Sequence, residues 1–245
     1  MDGGLRVLSG GEGEPLLLLL HGLGATADVW EGWRPLLADR WPGRWLAPDL
    51  PGHGGSAPLP EYTFDGLAAA LSPLVEPTGQ TVVLGHSLGG VVGLAMAAAG
   101  APVAAVIGLG IKVAWTEEEL DRAQALARRP VAWFSSREEA AARQLRVSGL
   151  TGLLAEDDPA VAAGLVVEDG RWRLALDPRA FGVGAPDLAA LVARASAKVT
   201  LARGELDPMN SDQQLRRWGV PVVNLPGLGH NAHVESPERC LTLLA

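Results

Sequence analysis

Short, unbroken apolar runs separated by segments of helical spacing set the pattern of the first 110 residues. "PLLLLL" (15–20), "RWLAPDL" (44–50), "TVVLG" (81–85) and "VAAVIGLG" (103–110) are the four runs. A strand reads this way, without alternation, when both of its faces are covered. Between the runs, 29–39, 64–75 and 88–99 are expected helices; the last is rich in Ala and Gly, a composition suited to lying close against a sheet. Strand, helix and strand repeated in this order predict an α/β fold, a mostly parallel sheet with helices on both faces.

From 111 to about 185 the pattern changes. No buried strand is evident, but "TEEEL" and "SREEA" set Thr116 and Ser136 three residues ahead of Glu119 and Glu139, the spacing of capping boxes. Trp115, Trp133, Phe134, Trp172 and Phe181 fall in this stretch. We expect a helical cap over 111–185, inserted into a core formed by 1–110 and 186–245. Alternation returns with "KVTLARG" (198–204), a helix opened by "SDQQL" (211–215), "PVVNLPG" (221–227) and a last helix begun at Ser236–Pro237.

Composition narrows the classes of function. With 48% hydrophobic residues in 245, the chain can bury a large core. A net charge of -8 argues against nucleic acid, whose phosphates demand a basic face, and no Lys/Arg block suggests an anionic membrane. The lone Cys240 excludes an internal disulfide, and no Cys/His cluster has zinc-ligand spacing, so neither metal nor organic cofactor is expected. "MDGGLRVLSGG" lacks the basic and apolar regions of a signal peptide, and "LLLLL" is far below the roughly 20 residues of a membrane span. A cytoplasmic protein is the expectation.

The chemistry centres on "LGHSLGG" (84–90), where Gly85-His86-Ser87-Leu88-Gly89 fits G-x-S-x-G between an expected strand and helix. A sharp turn there holds the middle residue in a strained conformation with its hydroxyl exposed at the sheet edge. Ser87 is therefore a candidate nucleophile, and it needs a base to take its proton. Of five histidines, His230 lies on a Gly-rich loop after the last expected strand; His233 is the competitor, read as a loop brace. The base in turn needs a carboxylate. Asp207, held extended before Pro208, is preferred over Glu205, while Asp212 belongs to the next helix. The Leu88 N–H at the helix start and the Leu23 N–H in "HGLG" are candidate oxyanion donors.

The order Ser87, Asp207, His230, with "HGLG", "DLPGHGGS" and "GLGHNAHVESPE", resembles the α/β-hydrolase superfamily. The likeness is to single-domain members with a helical cap, a group of small esterases, lactonases and carbon–carbon bond hydrolases. It covers about 1–110 and 186–245. It implies Ser87 as nucleophile, His230 as base, Asp207 as orienting acid, Leu23 and Leu88 as oxyanion donors, and structural roles for Asp49 and His53. Serine at the elbow disfavours a dehalogenase or epoxide hydrolase, and the "HGGG" donor loop of one lipase branch is absent. Lys112 is read as exposed or salt-bridged rather than as the lysine of a lyase. Trp115, Trp133 and Phe134 are the expected substrate-binding residues. Arg128 and Arg129 could grip a carboxylate but read more simply as a solvated helix end. The expected partner is a small to medium ester or lactone. The alternatives are carbon–carbon cleavage, acyl transfer, or a receptor that keeps the pocket without turnover.

Overall fold

In the computed structural model, which describes residues 4–77 and 79–244, the apolar runs become the middle of one twisted sheet. Its strands are β1 (Val7–Gly10), β2 (Leu16–Leu20), β3 (Trp45–Pro48), β4 (Thr81–His86) and β5 (Val103–Leu109). A two-stranded hairpin, β6 (Leu165–Glu168) and β7 (Arg171–Leu174), stands apart, and β8 (Lys198–Gly204) and β9 (Val222–Leu225) complete the main sheet. The spatial order is β1-β3-β2-β4-β5-β8-β9. Within this sheet, among the described residues, only β1 runs antiparallel to its neighbour, as a short edge strand absent from the sequence reading because it has no apolar run of its own.

Strand β2 shows why the sheet must be covered on both sides. All five of its leucines are at most 1% exposed. Successive side chains on a strand point to opposite faces. Leu18 and Leu20 pack with α2 (Phe64–Leu71), α3 (Leu88–Ala98) and α7 (Leu188–Arg194), while Leu17 and Leu19 pack beneath Trp30, Trp33 and α1 (Arg34–Arg40). The short helices α8 (Asp212–Arg216), α9 (Ala232–Glu235) and α10 (Pro237–Leu241) close the C-terminal side. Among the described residues no helix is long and apolar enough to cross a membrane.

The cap follows β5 with α4 (Glu117–Ala127), α5 (Arg137–Ser148) and α6 (Pro159–Ala163). Thr116 and Glu119 form the full reciprocal capping box. At α5 the Ser136 side chain caps Glu139 N–H, but the Glu139 carboxylate turns to Ser135 instead. The helical cap also carries the hairpin β6–β7, which the sequence pattern did not mark. Its strands are half exposed, so they lack the apolar signature of the buried strands. The signal was in the turn: Asp169–Gly170 has φ of 49° and 73°, a two-residue connection for which Asp-Gly is favoured.

The β4–α3 junction is the tightest point of the core. A Cβ on Gly89 would lie 2.4 Å from the Leu20 carbonyl oxygen and 2.6 Å from that of His21, both backbone atoms at the end of a buried strand. The Gly89→Ala variant gains helix propensity of about 1 kcal/mol, but overpacking costs about 1–3 kcal/mol, more where backbone must move. We expect net destabilisation, read as a lower urea midpoint; an unchanged midpoint would mean that the strand end yields freely.

Candidate active site

Ser87 sits between β4 and α3 with φ 49° and ψ -116°, a conformation that costs a non-glycine residue on the order of 1–3 kcal/mol. Its backbone is held on both sides. The N–H donates to Leu109 O at 2.8 Å, and the carbonyl accepts from Gly90 at 3.1 Å and Val91 at 3.3 Å. The side chain caps nothing and is half-buried, so the hydroxyl is not used as a helix cap. Gly22 places the "HGLG" loop alongside, since a Cβ there would lie 3.3 Å from Ser87 Cβ. Neither the Leu88 N–H nor the Leu23 N–H donates to a protein acceptor among the described residues. Both line the same cavity as Ser87.

Asp207 and His230 meet from two different loops. The Asp207 side chain is fully buried, and its Oδ2 accepts from His230 Nδ1 at 3.1 Å. Its Oδ1 accepts from Met209 N–H at 2.9 Å, which fixes the carboxylate plane. The donation from Nδ1 leaves Nε2 of the neutral ring with its lone pair, the tautomer a general base requires. No hydrogen bond joins Ser87 Oγ to His230 among the described residues. The two are linked through His86, whose ring lies 4.7 Å from that of His230 and whose Nε2–H donates to the His230 carbonyl at 3.0 Å. Glu205 points elsewhere, accepting from Gly227 N–H, and Asp212 opens α8.

The remaining histidines are buried and neutral. His21 donates from Nδ1 to Gly22 O and accepts Leu50 N–H at Nε2, tying "HGLG" to "DLPGHGGS". Burial pushes His21 down to about 4 and both His53 and His233 down to about 3; desolvation also holds His86 well below its ordinary value. Among the described residues His233 makes no hydrogen bond at either ring nitrogen, and it packs between Trp30 and His86 at 4.7 and 4.2 Å. Asp49, fully buried, accepts from Ala27 and Gly55 N–H and is faced by Arg6.

Sequence reasoning missed the residues that brace these loops from the cap. Gln144 on α5 donates from Nε2 to Gly24 O at 2.7 Å, and Asn231, next to His230, donates to Gly149 O just past the end of α5. Asn210 holds Ile111 O and Val113 N–H at the entrance to the cap. Single amides in loops carry no periodic signal, so nothing in the chain marked them.

A cavity of about 330 Å³ opens over Ser87, walled by Phe64, Val91, Leu126 and Phe181 and reached by Trp115. Trp133 and Phe134 do not line it. Trp133 lies on the outer side of the cap hairpin with the Arg171 guanidinium 4.8 Å from its ring, and Phe134 pairs its backbone with Trp172 and faces a separate cavity. The hairpin carries both away from Ser87. Lys112 is salt-bridged to Glu119 at 2.7 Å and lies over the Trp115 ring. That hydrogen bond holds the Glu119 carboxyl below its ordinary range.

A family model described as "Alpha/beta hydrolase family" matches residues 17–243. Pimeloyl-[acyl-carrier protein] methyl ester esterase of Methylococcus capsulatus is 37% identical over 91 residues, which is 37% of this chain and 34% of that protein. The chain thus spans about a third of the length of that relative. 2-Succinyl-6-hydroxy-2,4-cyclohexadiene-1-carboxylate synthase of Serratia proteamaculans is 26% identical over an alignment covering 95% of this chain and 93% of that one. Among solved structures, E-2-(acetamidomethylene)succinate hydrolase superposes with a TM-score of 0.82 at 25% identity, covering 98% of this chain and 93% of the other.

The buried histidines imply acid sensitivity. Between pH 6.5 and about 4 the unfolded chain protonates imidazoles that stay neutral when folded, so unfolding takes up protons and stability falls as pH falls. Each fully neutral histidine contributes about 1.4 kcal/mol per pH unit in that window. Urea titrations at pH 7 and pH 5 should differ by several kcal/mol; equal values would mean that water reaches these rings in the folded state.

Proposed function

The chain belongs to the alpha/beta hydrolase family, and from that premise we propose that it is a serine hydrolase cleaving small to medium carboxylic esters or lactones through an acyl-enzyme. The observation that carries this reading is the Asp207–His230 contact at 3.1 Å beside a serine held at φ 49°. Residues 111–185 are assigned to the cap and 1–110 with 186–245 to the core.

The steps follow from the residues. An ester carbonyl enters the cavity with its carbon against Ser87 Oγ. His230 Nε2 takes the hydroxyl proton, a step that side-chain rotation must complete, and the oxygen attacks. Charge developing on the carbonyl oxygen meets the Leu23 and Leu88 N–H groups, a reading supported by their lining the same cavity as Ser87 without a protein acceptor among the described residues. Asp207 stabilises the imidazolium without taking its proton. The imidazolium protonates the departing alcohol, and the same nitrogen then activates water to release the acid. Size supports small or medium substrates, because 330 Å³ is at the low end for ligand pockets.

A second reading keeps the three residues but changes the reaction, to carbon–carbon cleavage. The relative matched along nearly its whole length is named as a synthase rather than an esterase, so chemistry other than ester hydrolysis occurs among the proteins this chain is similar to. Turnover of a panel of esters, lactones and β-diketones separates the two.

On its preferred substrate, Ser87→Ala should lose at least about 10³-fold in kcat. Asp207→Asn should lose less, since the ring remains in place. If His230→Ala retained activity while His233→Ala abolished it, the assignment of the base would be wrong.

A further inference from the structure

A second cavity, of about 420 Å³, lies under the cap between the end of α4, α5 and the hairpin. Leu126 and Phe181 line both this space and the Ser87 cavity, so the two adjoin across a pair of apolar side chains. Its walls are otherwise mainly apolar, Phe134 among them, except for Arg129, Arg143 and Arg146. Among the described residues none of these three guanidinium groups forms an ion pair or a side-chain hydrogen bond. In the same cap segment Arg122, Arg173 and Arg179 each hold a carboxylate.

Helix ends account for part of this arrangement. Arg129 lies just beyond α4 and Arg146 in the last turn of α5, where a cation offsets the partial negative charge of the carbonyl end. They do not account for three cations converging on one apolar hollow, nor for Arg143, which is half-buried a turn further in. A chain with 28 acidic and 20 basic residues has ample carboxylates to pair them, yet none is placed there. A guanidinium fork beside apolar walls suits a planar oxyanion on an apolar stem, because the carboxylate is bound bidentately while its chain covers the walls.

We propose that this second cavity is a subsite for the anionic far end of the substrate, so that the preferred esters carry a carboxylate separated from the scissile carbonyl by an apolar chain. The inference rests on the ester-hydrolase reading and deepens it. The carbonyl sits at Ser87, the chain passes Leu126 and Phe181, and the carboxylate reaches the arginines. Binding of that end is the same in ground and transition states, so its loss appears in KM rather than in kcat.

The test compares mono-4-nitrophenyl esters of dicarboxylic acids with alkanoate esters of matched length. Wild type should favour the carboxylate series through a lower KM, with an optimum chain length. In Arg143→Gln/Arg146→Gln the ratio of kcat/KM, carboxylate to neutral, should fall about tenfold or more. Should the double variant fail to fold, Arg146→Gln at an exposed position supplies the same ratio. In parallel, calorimetric binding of octanoate to the Ser87→Ala protein should weaken at least about tenfold when the arginines are removed. Octanoate binding that depends on the arginines, without ester turnover, would support the subsite and overturn the ester reading. Ser87-dependent turnover of both series, with ratio and octanoate binding indifferent to the arginines, would overturn the subsite and leave the ester reading standing.

Discussion

The structure depends on one close approach, that of the β4–α3 turn to the ends of its neighbouring strands. Gly85 and Gly89 pack backbone against backbone, with Cβ positions that would fall 2.4 Å from the nearest main-chain atoms, and a Cβ on Gly90 would lie 2.5 Å from the Ile111 side chain and 2.8 Å from the Gly85 carbonyl oxygen. Removing those carbons lets α3 start directly against β2 and β5. The compactness forces Ser87 into φ 49°, because the chain must reverse from strand to helix within one residue. Strain at one position is thus sustained by the many buried contacts of α3, whose residues Leu88 to Ala97 are all buried.

Everything around that turn is arranged by loops fastened to one another rather than by regular structure. His21 joins the loop after β2 to the loop after β3, and His86 joins the turn to the His230 carbonyl. Gln144 and Asn231 connect the cap helix α5 region to the loops carrying Leu23 and His230. The cap is therefore part of the scaffold that sets the positions of the proposed donors and base. A change in α5 would be felt at the site without any contact to substrate.

The electrostatic design divides the histidines by environment. Four are desolvated and kept neutral, where they act as shaped hydrogen-bonding blocks. His230 hydrogen-bonds the buried Asp207 carboxylate while its side chain remains 20% exposed. The cap adds cations along the proposed substrate path, with Lys112 matched by Glu119 and three arginines beyond it that pair with no carboxylate among the described residues. In the proposed subsite the apolar walls between them would select length and shape, and the charged end would select chemistry.

The pattern of apolar runs determined the parallel sheet, because strands covered on both faces have no polar face and show it residue by residue. It also marked the turn at Ser87, where glycines are required at fixed offsets, and the loops bearing Asp207 and His230, which follow strands at the same sheet edge. The edge strand β1 and the hairpin β6–β7 were missed, since short half-exposed strands give little periodic signal. Pocket residues were the least legible. Aromatic composition singled out Trp115, which lines the Ser87 cavity, but equally Trp133 and Phe134, which the hairpin turns elsewhere. Which side chains face a common hollow depends on how the cap packs on the core, and that packing joins residues more than a hundred positions apart, such as Gln144 and Gly24. Local sequence specifies the strands and the strained turn through sterics close along the chain; only the folded molecule decides which distant walls enclose the serine.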